Sequence, residues 1–219
     1  MDDNNKLKKL AAQFAKPNAK KGIELAAMMS KTNIEMTRHS LHKLALTGSE
    51  HILELGHGNA AHLNELLTQY PSLHYTGLET SKTMYEEASR LNEMWIAQGR
   101  ASFLHYDGKH LPLKARTFDK IFSVNTIYFW KDRFTFLSKL KSLLSNNGQI
   151  ALTFASKKFM QTLPFTVYGF TLYDVEDAER LLEQCDFKNI KSSIKKDHIL
   201  SPTNEPIERE YATVTAYNN

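Results

Sequence analysis

The feature that most constrains this sequence is an alternation of short apolar strands with amphipathic helices between Glu50 and Phe154. Strands are predicted at HILEL, LHYTGLE, ASFLHY, DKIFSV and QIALTF, with helical segments between most of them. Repeated strand–helix units favour a parallel sheet that carries helices on both faces. We therefore expect a doubly wound α/β fold, with ligands bound beyond the carboxyl ends of the strands.

Helices and further strands flank this alternating region. Residues 5–47 show apolar spacing typical of helices, and Pro17 and Gly22 are predicted to divide them. The second helix is expected at about residues 23–30 and the third from Asn33 to about Leu46. After the fifth strand come an aromatic stretch, residues 159–173, and a helix over residues 174–184. The runs FKNIKSSI and EREYATVTAY alternate with period two, which predicts an antiparallel edge.

The length of 219 residues suits one domain with a sizeable core. We expect a single domain over 1–219, with three parts. These are a helical cap at 1–48, a ligand-binding core at 49–156, and a lid, helix and edge strands at 157–219.

Composition excludes several classes of protein. Cys185 is the only cysteine, so no disulfide can form within the chain, and we expect a cytoplasmic protein. The start, MDDNNKLKKL, lacks the apolar region of a signal peptide, and no run of about 18 apolar residues predicts a membrane span. The net charge of +4 is carried by dispersed Lys and Arg residues, which indicates a solvated surface rather than a nucleic-acid interface.

The loop after the first strand, E-L-G-H-G-N-A, carries the most chemical information. Gly56 and Gly58 let the backbone turn tightly and approach a ligand, and Asn59 can cap the following helix. The glycines also fit a G-x-G-x-x-A dinucleotide fingerprint. Glu54 argues against that interpretation, because a carboxylate beside the helix N-terminus would repel a pyrophosphate. A ligand with a cationic group is favoured instead.

The second strand ends in another carboxylate. Glu79 lies 23 residues after Gly56, a distance at which an acidic residue can accept both hydroxyls of a ribose. Thr80 and Ser81 begin the next helix, with Ser81 as its predicted N-cap. Met84 follows one turn into that helix, where it can cover the face of a purine.

The third and fourth strands end in polar residues as well. Asp107 and Gly108 follow the third strand, and a carboxylate there can accept a hydrogen bond from an exocyclic amine. The fourth strand stops at Asn125. The expected ligand edge therefore gathers polar side chains from four strands.

These segments, in this order and spacing, resemble class I S-adenosylmethionine-dependent methyltransferases of the bacterial small-molecule type. The matching motifs are E54-x-G-x-G-N-A, E79-T-S-x-x-M, D107-G-x-x-L-P and F118-D-x-I-F-S-V-N. The segment FTLYDVEDAERLLEQCDFKNI is similar to the family's last helix and following strand. The resemblance implies a Rossmann-like sheet of about seven strands, S-adenosylmethionine as the methyl donor and S-adenosylhomocysteine as the product.

The resemblance also implies a role for each strand end. Glu54 and the Gly56–Gly58 turn, with His57 and Asn59, would face the methionyl part, and Glu79 would bind the ribose. Adenine would be flanked by Thr80 and Met84 and bound through Asp107 and Gly108, while Asn125 would meet the methionyl amino group. His57 is expected either to touch the ligand or to point to solvent. Ala60 replaces a third glycine of the family, and we expect it to adopt ordinary helical dihedral angles.

A general base is needed only if the methyl acceptor must lose a proton. Candidates are Tyr128, also expected to line the pocket, His39 or His42 on the third helix, and Tyr168 or Tyr173 in the aromatic stretch. His39 and His42 have a possible metal spacing, but no third ligand is evident and no metal site is expected.

The aromatic stretch is expected to form a lid over a small hydrophobic or aromatic acceptor. The stripe of Leu7, Leu10 and Phe14 is expected to pack on that lid, with contact to a membrane surface as the alternative. The chain would act as a monomer or homodimer. Two other functions stay open, a nicotinamide-dependent oxidoreductase and a non-catalytic methyltransferase-fold binding module. No N-P-P-Y segment follows the fourth strand, which argues against a nucleic-acid methyltransferase.

Overall fold

The computed structural model describes residues 3–200 and 205–218, and these form one seven-stranded sheet with flanking helices. The strands are β1 (His51–Leu55), β2 (His74–Glu79), β3 (Ala101–His105), β4 (Phe118–Val124), β5 (Leu144–Ala155), β6 (Lys188–Leu200) and β7 (Pro206–Tyr217). Their order is β3-β2-β1-β4-β5-β7-β6; β7 runs antiparallel to β5 and β6, and the other pairs are parallel. The predicted doubly wound sheet with an antiparallel edge is confirmed.

Nine α-helices cover the described residues. They are α1 (Asp3–Ala15), α2 (Ala19–Thr32), α3 (Ile34–Lys43), α4 (Leu63–Gln69), α5 (Lys82–Leu91), α6 (Glu93–Ala97), α7 (Arg133–Leu143), α8 (Lys157–Met160) and α9 (Val175–Gln184). Short 3₁₀ helices occupy Ile127–Phe129 and Pro164–Val167. Within the described ranges, no helix is long and apolar enough to cross a membrane. The division into cap, core and terminal segment stays a prediction, and its outer bounds, 1 and 219, lie outside the described residues.

The central strands of the sheet are buried on both faces, and β1 shows how. Leu53 and Leu55 belong to a core that includes residues of α7 and α9, whereas Ile52 belongs to a second core with residues of α4. Alternate residues of a strand point to opposite faces, so Glu54 shares the face of Ile52. Its carboxylate therefore enters an apolar layer, and its side chain is only 5% exposed.

Several helix boundaries differ from the predictions. Gly22 lies inside α2 rather than between helices. Glycine is needed there because a Cβ at this position would lie 2.8 Å from the carbonyl carbon of Pro17. The helix expected to begin at Ser81 is broken at Asn92, whose side chain donates to the Ala88 carbonyl at 2.9 Å. Ser81 is the predicted N-cap, and its hydroxyl accepts from the Met84 amide.

Two further helix ends are shifted. The helix after β1 begins at Leu63, not at Asn59, and the Asn59 carboxamide accepts only from the nearby Ala61 amide at 3.3 Å. The helix before β5 ends at Leu143, because β5 already begins at Leu144.

A buried ion pair joins the N-terminal helices to the antiparallel edge. Arg209 on β7 pairs with Asp197 on β6 at 2.7 Å, and the guanidinium is only 4% exposed. Arg209 also donates to the Thr32 carbonyl and to Asn33 Oδ1, both at 2.8 Å. The Asn33 oxygen in turn accepts from Asn125 at the end of β4, at 3.3 Å. This network holds the α2–α3 junction over the carboxyl edge of the sheet.

Ala60 corrects the expectation of ordinary helical geometry. Its φ is +48°, in the left-handed region that costs about 1–2 kcal/mol for residues with a Cβ. The chain therefore keeps the backbone conformation for which a third glycine would be suited. The Ala60 methyl group is fully buried, and its packing against the α4–α5 side of the core offsets part of that cost.

We expect Ala60→Gly to leave the free energy of unfolding within about 0.5 kcal/mol of wild type, because relief of backbone strain offsets the lost methyl burial and the entropy of glycine. The matched control is Ala88→Gly, at an equally buried position inside α5. It should cost roughly 2 kcal/mol, since helix propensity and burial are both lost. Urea unfolding curves measure both, and equal losses in the two variants would contradict the assignment of strain.

Arg209→Met should lower the free energy of unfolding by about 3–5 kcal/mol, because it leaves the Asp197 carboxylate buried without its partner. The control is Lys196→Met on the same hairpin, which breaks an exposed pair with Glu208. That variant should keep the wild-type urea midpoint. A small effect of Arg209→Met would show that the Arg209–Asp197 ion pair contributes little to the free energy of unfolding.

Candidate functional site

A cavity of about 190 Å³ lies at the carboxyl ends of β1, β2 and β4, beneath the N-terminal helices. The structure brings nine of the predicted site residues to its wall. These are Glu54, Gly56, His57, Gly58, Asn59, Glu79, Thr80, Gly108 and Asn125. The opposite wall comes from the cap, chiefly Phe14, Met29, Asn33, Ile34 and Thr37. The expectation that the N-terminal helices cover the ligand edge is confirmed.

Glu54 is held by two side chains through the same carboxylate oxygen. Tyr75 on β2 donates its hydroxyl to Glu54 Oε2 at 2.5 Å, and His62 Nε2 lies 2.9 Å from that oxygen. Burial raises the pKa of Glu54, whereas the charge of His62 and the hydrogen bonds of His62 and Tyr75 lower it. The lowering effects together are larger, so the pKa falls below its usual value. The carboxylate at the end of β1 is therefore ionised at neutral pH.

His57 neither points to solvent nor reaches across the cavity. The side chain is buried, its Nδ1 donates to the Gly58 carbonyl at 2.8 Å, and its ring covers Gly77 on β2. A Cβ at Gly77 would lie 2.5 Å from the His57 ring, so glycine is required there. Burial lowers the pKa of His57 below its ordinary value despite the nearby Glu79 and Glu54. His57 is thus a neutral anchor for the glycine turn.

Glu79 joins the loops that follow β1 and β2. Its Oε2 accepts from the Gly58 amide at 3.1 Å, and its Oε1 accepts from the Ser81 amide at 2.8 Å. The side chain lines the cavity although the residue is only 5% exposed. A carboxylate retains further lone pairs beyond these two bonds, so Glu79 can still accept from a ligand hydroxyl.

Three predicted cofactor contacts do not lie on the cavity wall. Met84 is fully buried inside the protein, because the start of α5 turns its side chain into the core. Asp107 lies in a turn outside the wall, where it accepts from the Lys109 and His110 amides at 2.8 Å each. Tyr128 is buried, and its hydroxyl donates to Asn125 Oδ1 and to the Ala155 carbonyl.

The candidate bases are placed away from the cavity as well. His39 contacts Ser193 Oγ at 2.8 Å and the Tyr211 ring, and burial lowers its pKa to about 4. Burial also raises the pKa of Tyr128 far above its usual value. Tyr168 donates to Asn4 on α1 at 3.2 Å. In the described part of the chain, no cluster of three His, Cys, Asp or Glu side chains is arranged to hold a metal ion.

The aromatic stretch lies behind the cavity rather than over it. Phe165 stacks on Phe14 at 4.5 Å between ring centroids, as the predicted packing of the N-terminal stripe requires, and Phe170 contacts Phe129 at 4.7 Å. Phe14 and Phe129 are the rings that reach the cavity. The aromatic stretch, which was expected to form a lid, therefore packs behind the rings that line the cavity. The N-terminal helices cover the cavity instead.

Sequence reasoning missed several residues of the wall. His62 and Tyr106 line the cavity, as do Ser30, Thr126 and Trp130. His62 lies eight residues after Glu54, and only the late start of α4 shows that it turns back onto the carboxylate. The cap residues come from helices whose packing has no local sequence signal.

The carboxylates of Glu54 and Glu79 lie on the cavity wall, with His62 paired to Glu54, and neither Lys nor Arg is among the described residues that line it. Gly56 and Gly58 both have positive φ, at +68° and +57°, so the turn depends on glycine geometry. The site favours a ligand that carries positive charge and hydroxyl groups.

Comparison with known proteins finds similarity to methyltransferases. Residues 52–148, from β1 into β5, match the family model described as a methyltransferase domain. YdaC, an uncharacterized methyltransferase of Bacillus subtilis, is 24% identical over 170 residues, which cover 76% of this chain and 91% of that protein. An O-methyltransferase of Pyrenophora dematioidea is 26% identical over 117 residues, covering 53% of this chain and 43% of that protein.

Solved structures share the fold. Phosphoethanolamine N-methyltransferase 2 of Haemonchus contortus, in complex with phosphomonomethylethanolamine and S-adenosylhomocysteine, has a TM-score of 0.69 at 14% identity, covering 91% of this chain and 58% of that chain. Geranyl diphosphate C-methyltransferase of Streptomyces coelicolor has a TM-score of 0.68 at 8% identity, covering 95% of this chain and 88% of that chain.

The family match spans the strands whose ends form the cavity. The four motifs at the ends of β1 to β4 lie within or beside the matched residues. Residues 52–148 therefore match a methyltransferase domain, and over most of its length the chain is similar to methyltransferases.

Proposed function

We propose that the cavity at the ends of β1, β2 and β4 binds S-adenosylmethionine and that the protein transfers its methyl group to a small, uncharged, largely apolar acceptor. The observation that carries the proposal is the pair of buried carboxylates, Glu54 and Glu79, in a wall whose described residues include neither Lys nor Arg. The cofactor carries an ammonium and a sulfonium, and it fits such a wall.

The chain's residues divide the binding task. Glu54 and the Gly56–Gly58 turn would bind the methionyl end, and Glu79 would accept the ribose hydroxyls. Thr80 and Gly108 would lie beside adenine. Asp107 would accept from the adenine amine through the lone pairs that its bonds to the Lys109 and His110 amides leave free.

The cofactor supplies an activated methyl group, which leaves in an in-line displacement that depends on positioning more than on acid–base groups. The chain's part is to exclude water and to orient the acceptor. The predicted bases Tyr128, His39 and Tyr168 do not line the cavity. We therefore propose that the reaction uses an acceptor that needs no side chain from this set as its base.

The composition of the cavity wall supports a largely apolar acceptor. Phe14, Met29 and Ile34 of the cap and Phe129 and Trp130 after β4 present apolar surface, and Ser30 and Thr37 add a few hydroxyl groups. An acceptor with a phosphate would meet Glu54 and Glu79 without a compensating cation. The Haemonchus and Streptomyces neighbours are bound to phosphorylated substrates, so we propose that this chain differs from them in acceptor charge.

Two other functions have weaker support. A nicotinamide-dependent oxidoreductase would place a pyrophosphate beside Glu54 and Glu79, which the charges disfavour. A non-catalytic binding module would not need a closed apolar wall opposite the cofactor residues. We propose a cytoplasmic location, which the single cysteine, buried as Cys185, supports. Membrane contact through α1 is poorly supported, because Phe14 of its apolar stripe stacks on Phe165 within the protein.

Glu79→Gln should weaken S-adenosylhomocysteine binding at least tenfold, because hydrogen bonds to a charged acceptor contribute about 1.5–3 kcal/mol. Isothermal titration should show that wild type binds S-adenosylhomocysteine and does not bind NADH. Glu86→Gln, in an exposed pair with Lys82, is the control and should keep wild-type affinity. Binding of NADH with no binding of S-adenosylhomocysteine would refute the proposal.

Met29→Ala should raise the acceptor KM about tenfold, since it removes roughly 1–2 kcal/mol of apolar contact, and should leave S-adenosylhomocysteine affinity unchanged. Met28→Ala is the control, because Met28 is next in the chain but does not line the cavity. Transfer of labelled methyl to neutral phenols, aliphatic alcohols and their phosphorylated counterparts provides the readout. Preferential methylation of the phosphorylated compounds would contradict the acceptor class.

A further inference from the structure

The contact between His62 and Glu54 has no role in capping the helix on which His62 lies. His62 is the N-cap residue of α4, yet its side chain makes no capping hydrogen bond. The imidazole instead turns toward β1 and places Nε2 2.9 Å from Glu54 Oε2. The rings of Tyr75 and Phe122 each lie edge-on to the imidazole, with centroids 6.5 Å away. The ring is thus held in one orientation.

Both neighbours of Glu54 approach the same oxygen. Tyr75 donates to Oε2, His62 Nε2 lies 2.9 Å from it, and Glu54 is among the residues that line the cavity. A carboxylate bound in this way is fixed in rotation, and its second oxygen is left for a partner outside the pair. His62 therefore determines how the charge of Glu54 is presented to the cavity.

We propose that His62 is a positioning residue for the cofactor, and that it acts by keeping the buried Glu54 carboxylate ionised and oriented toward the ligand's ammonium group. This inference rests on the proposed cofactor site. Without a cationic partner, an isolated carboxylate buried in an apolar layer takes up a proton, and a neutral Glu54 would no longer attract a cation.

The titration of the pair supports this role. Burial lowers the pKa of His62, but the neighbouring Glu54 carboxylate raises it more, so the pKa lies above its ordinary value. The groups that face the pair are His57 on the turn, Tyr75 on β2, Glu65 on α4, and Arg38 and His42 of α3 across a second cavity. Arg38 is itself paired with Glu65 at 2.8 Å, which leaves Glu54 as the partner of His62.

Protons can reach His62 without passing the cofactor. His62 lines both the first cavity and a second one of about 470 Å³ between α3 and α4. Ile34 and Thr37 also contribute to both walls. The imidazole can therefore exchange protons from the second cavity while a ligand fills the first.

The test is S-adenosylhomocysteine affinity as a function of pH, measured by titration calorimetry on the full chain. Wild type should vary less than about threefold between pH 6 and pH 8, because Glu54 stays ionised throughout. In His62→Gln the pKa of Glu54 rises, so affinity should fall at least tenfold at pH 6 and recover toward wild type at pH 8. Tyr75→Phe, which removes one hydrogen bond to Glu54 but leaves the imidazole in place, should show the same trend with a smaller loss at pH 6.

A second readout does not depend on the ligand. NMR titration of the free protein should give His62 a pKa above about 6.5, and Glu54→Gln should lower it. The inference would be overturned if His62→Gln kept the wild-type affinity for S-adenosylhomocysteine at every pH. It would also be overturned if the variant lost affinity by the same factor at every pH. An unshifted His62 in Glu54→Gln would overturn it as well. If wild type itself bound no S-adenosylhomocysteine, the cofactor proposal would fail first.

Discussion

The burial of one carboxylate, that of Glu54, sets the conditions that the surrounding structure has to meet. A charge in the middle of a parallel sheet is costly unless it is paired and hydrogen-bonded. The neighbouring strand supplies Tyr75, and the loop beyond the glycine turn supplies His62. The helix after β1 consequently starts only at Leu63, so that the preceding residue can turn back onto the sheet. The local geometry follows from pairing this charge.

The glycine turn depends on the same layer of residues. The His57 ring fills the space above Gly77 and donates to the Gly58 carbonyl, and Glu79 accepts from the Gly58 amide. The turn is thus fixed from two sides before any ligand binds. Arg209 fastens the cap to β7 and reaches Asn33, whose oxygen also accepts from Asn125. These bonds preorganise both walls of the cavity, which limits the conformational cost of binding.

Local patterns in the sequence were sufficient for the sheet and for the strand-end residues of the site. Periodicity located β1 to β5, and Glu54, Glu79 and Asn125 were assigned from their positions at strand ends. Features that depend on contacts distant in sequence were missed. The pairing of His62 with Glu54, the burial of Met84 and the turn formed by Asp107 are set by packing and local hydrogen bonds that no spacing encodes. Ala60 was expected to be helical because alanine usually is, whereas the turn imposes a positive φ.

The central claim is that the carboxylates of β1 and β2 bind the two polar ends of one cationic cofactor. A crystal structure of the protein with S-adenosylhomocysteine tests it most directly. The account predicts ligand density in the cavity beneath α1 to α3, with both ribose hydroxyls within hydrogen-bonding distance of Glu79 and the amino group on the side of Glu54. Density for the ligand elsewhere, or a ribose that makes no contact with Glu79, would contradict the account.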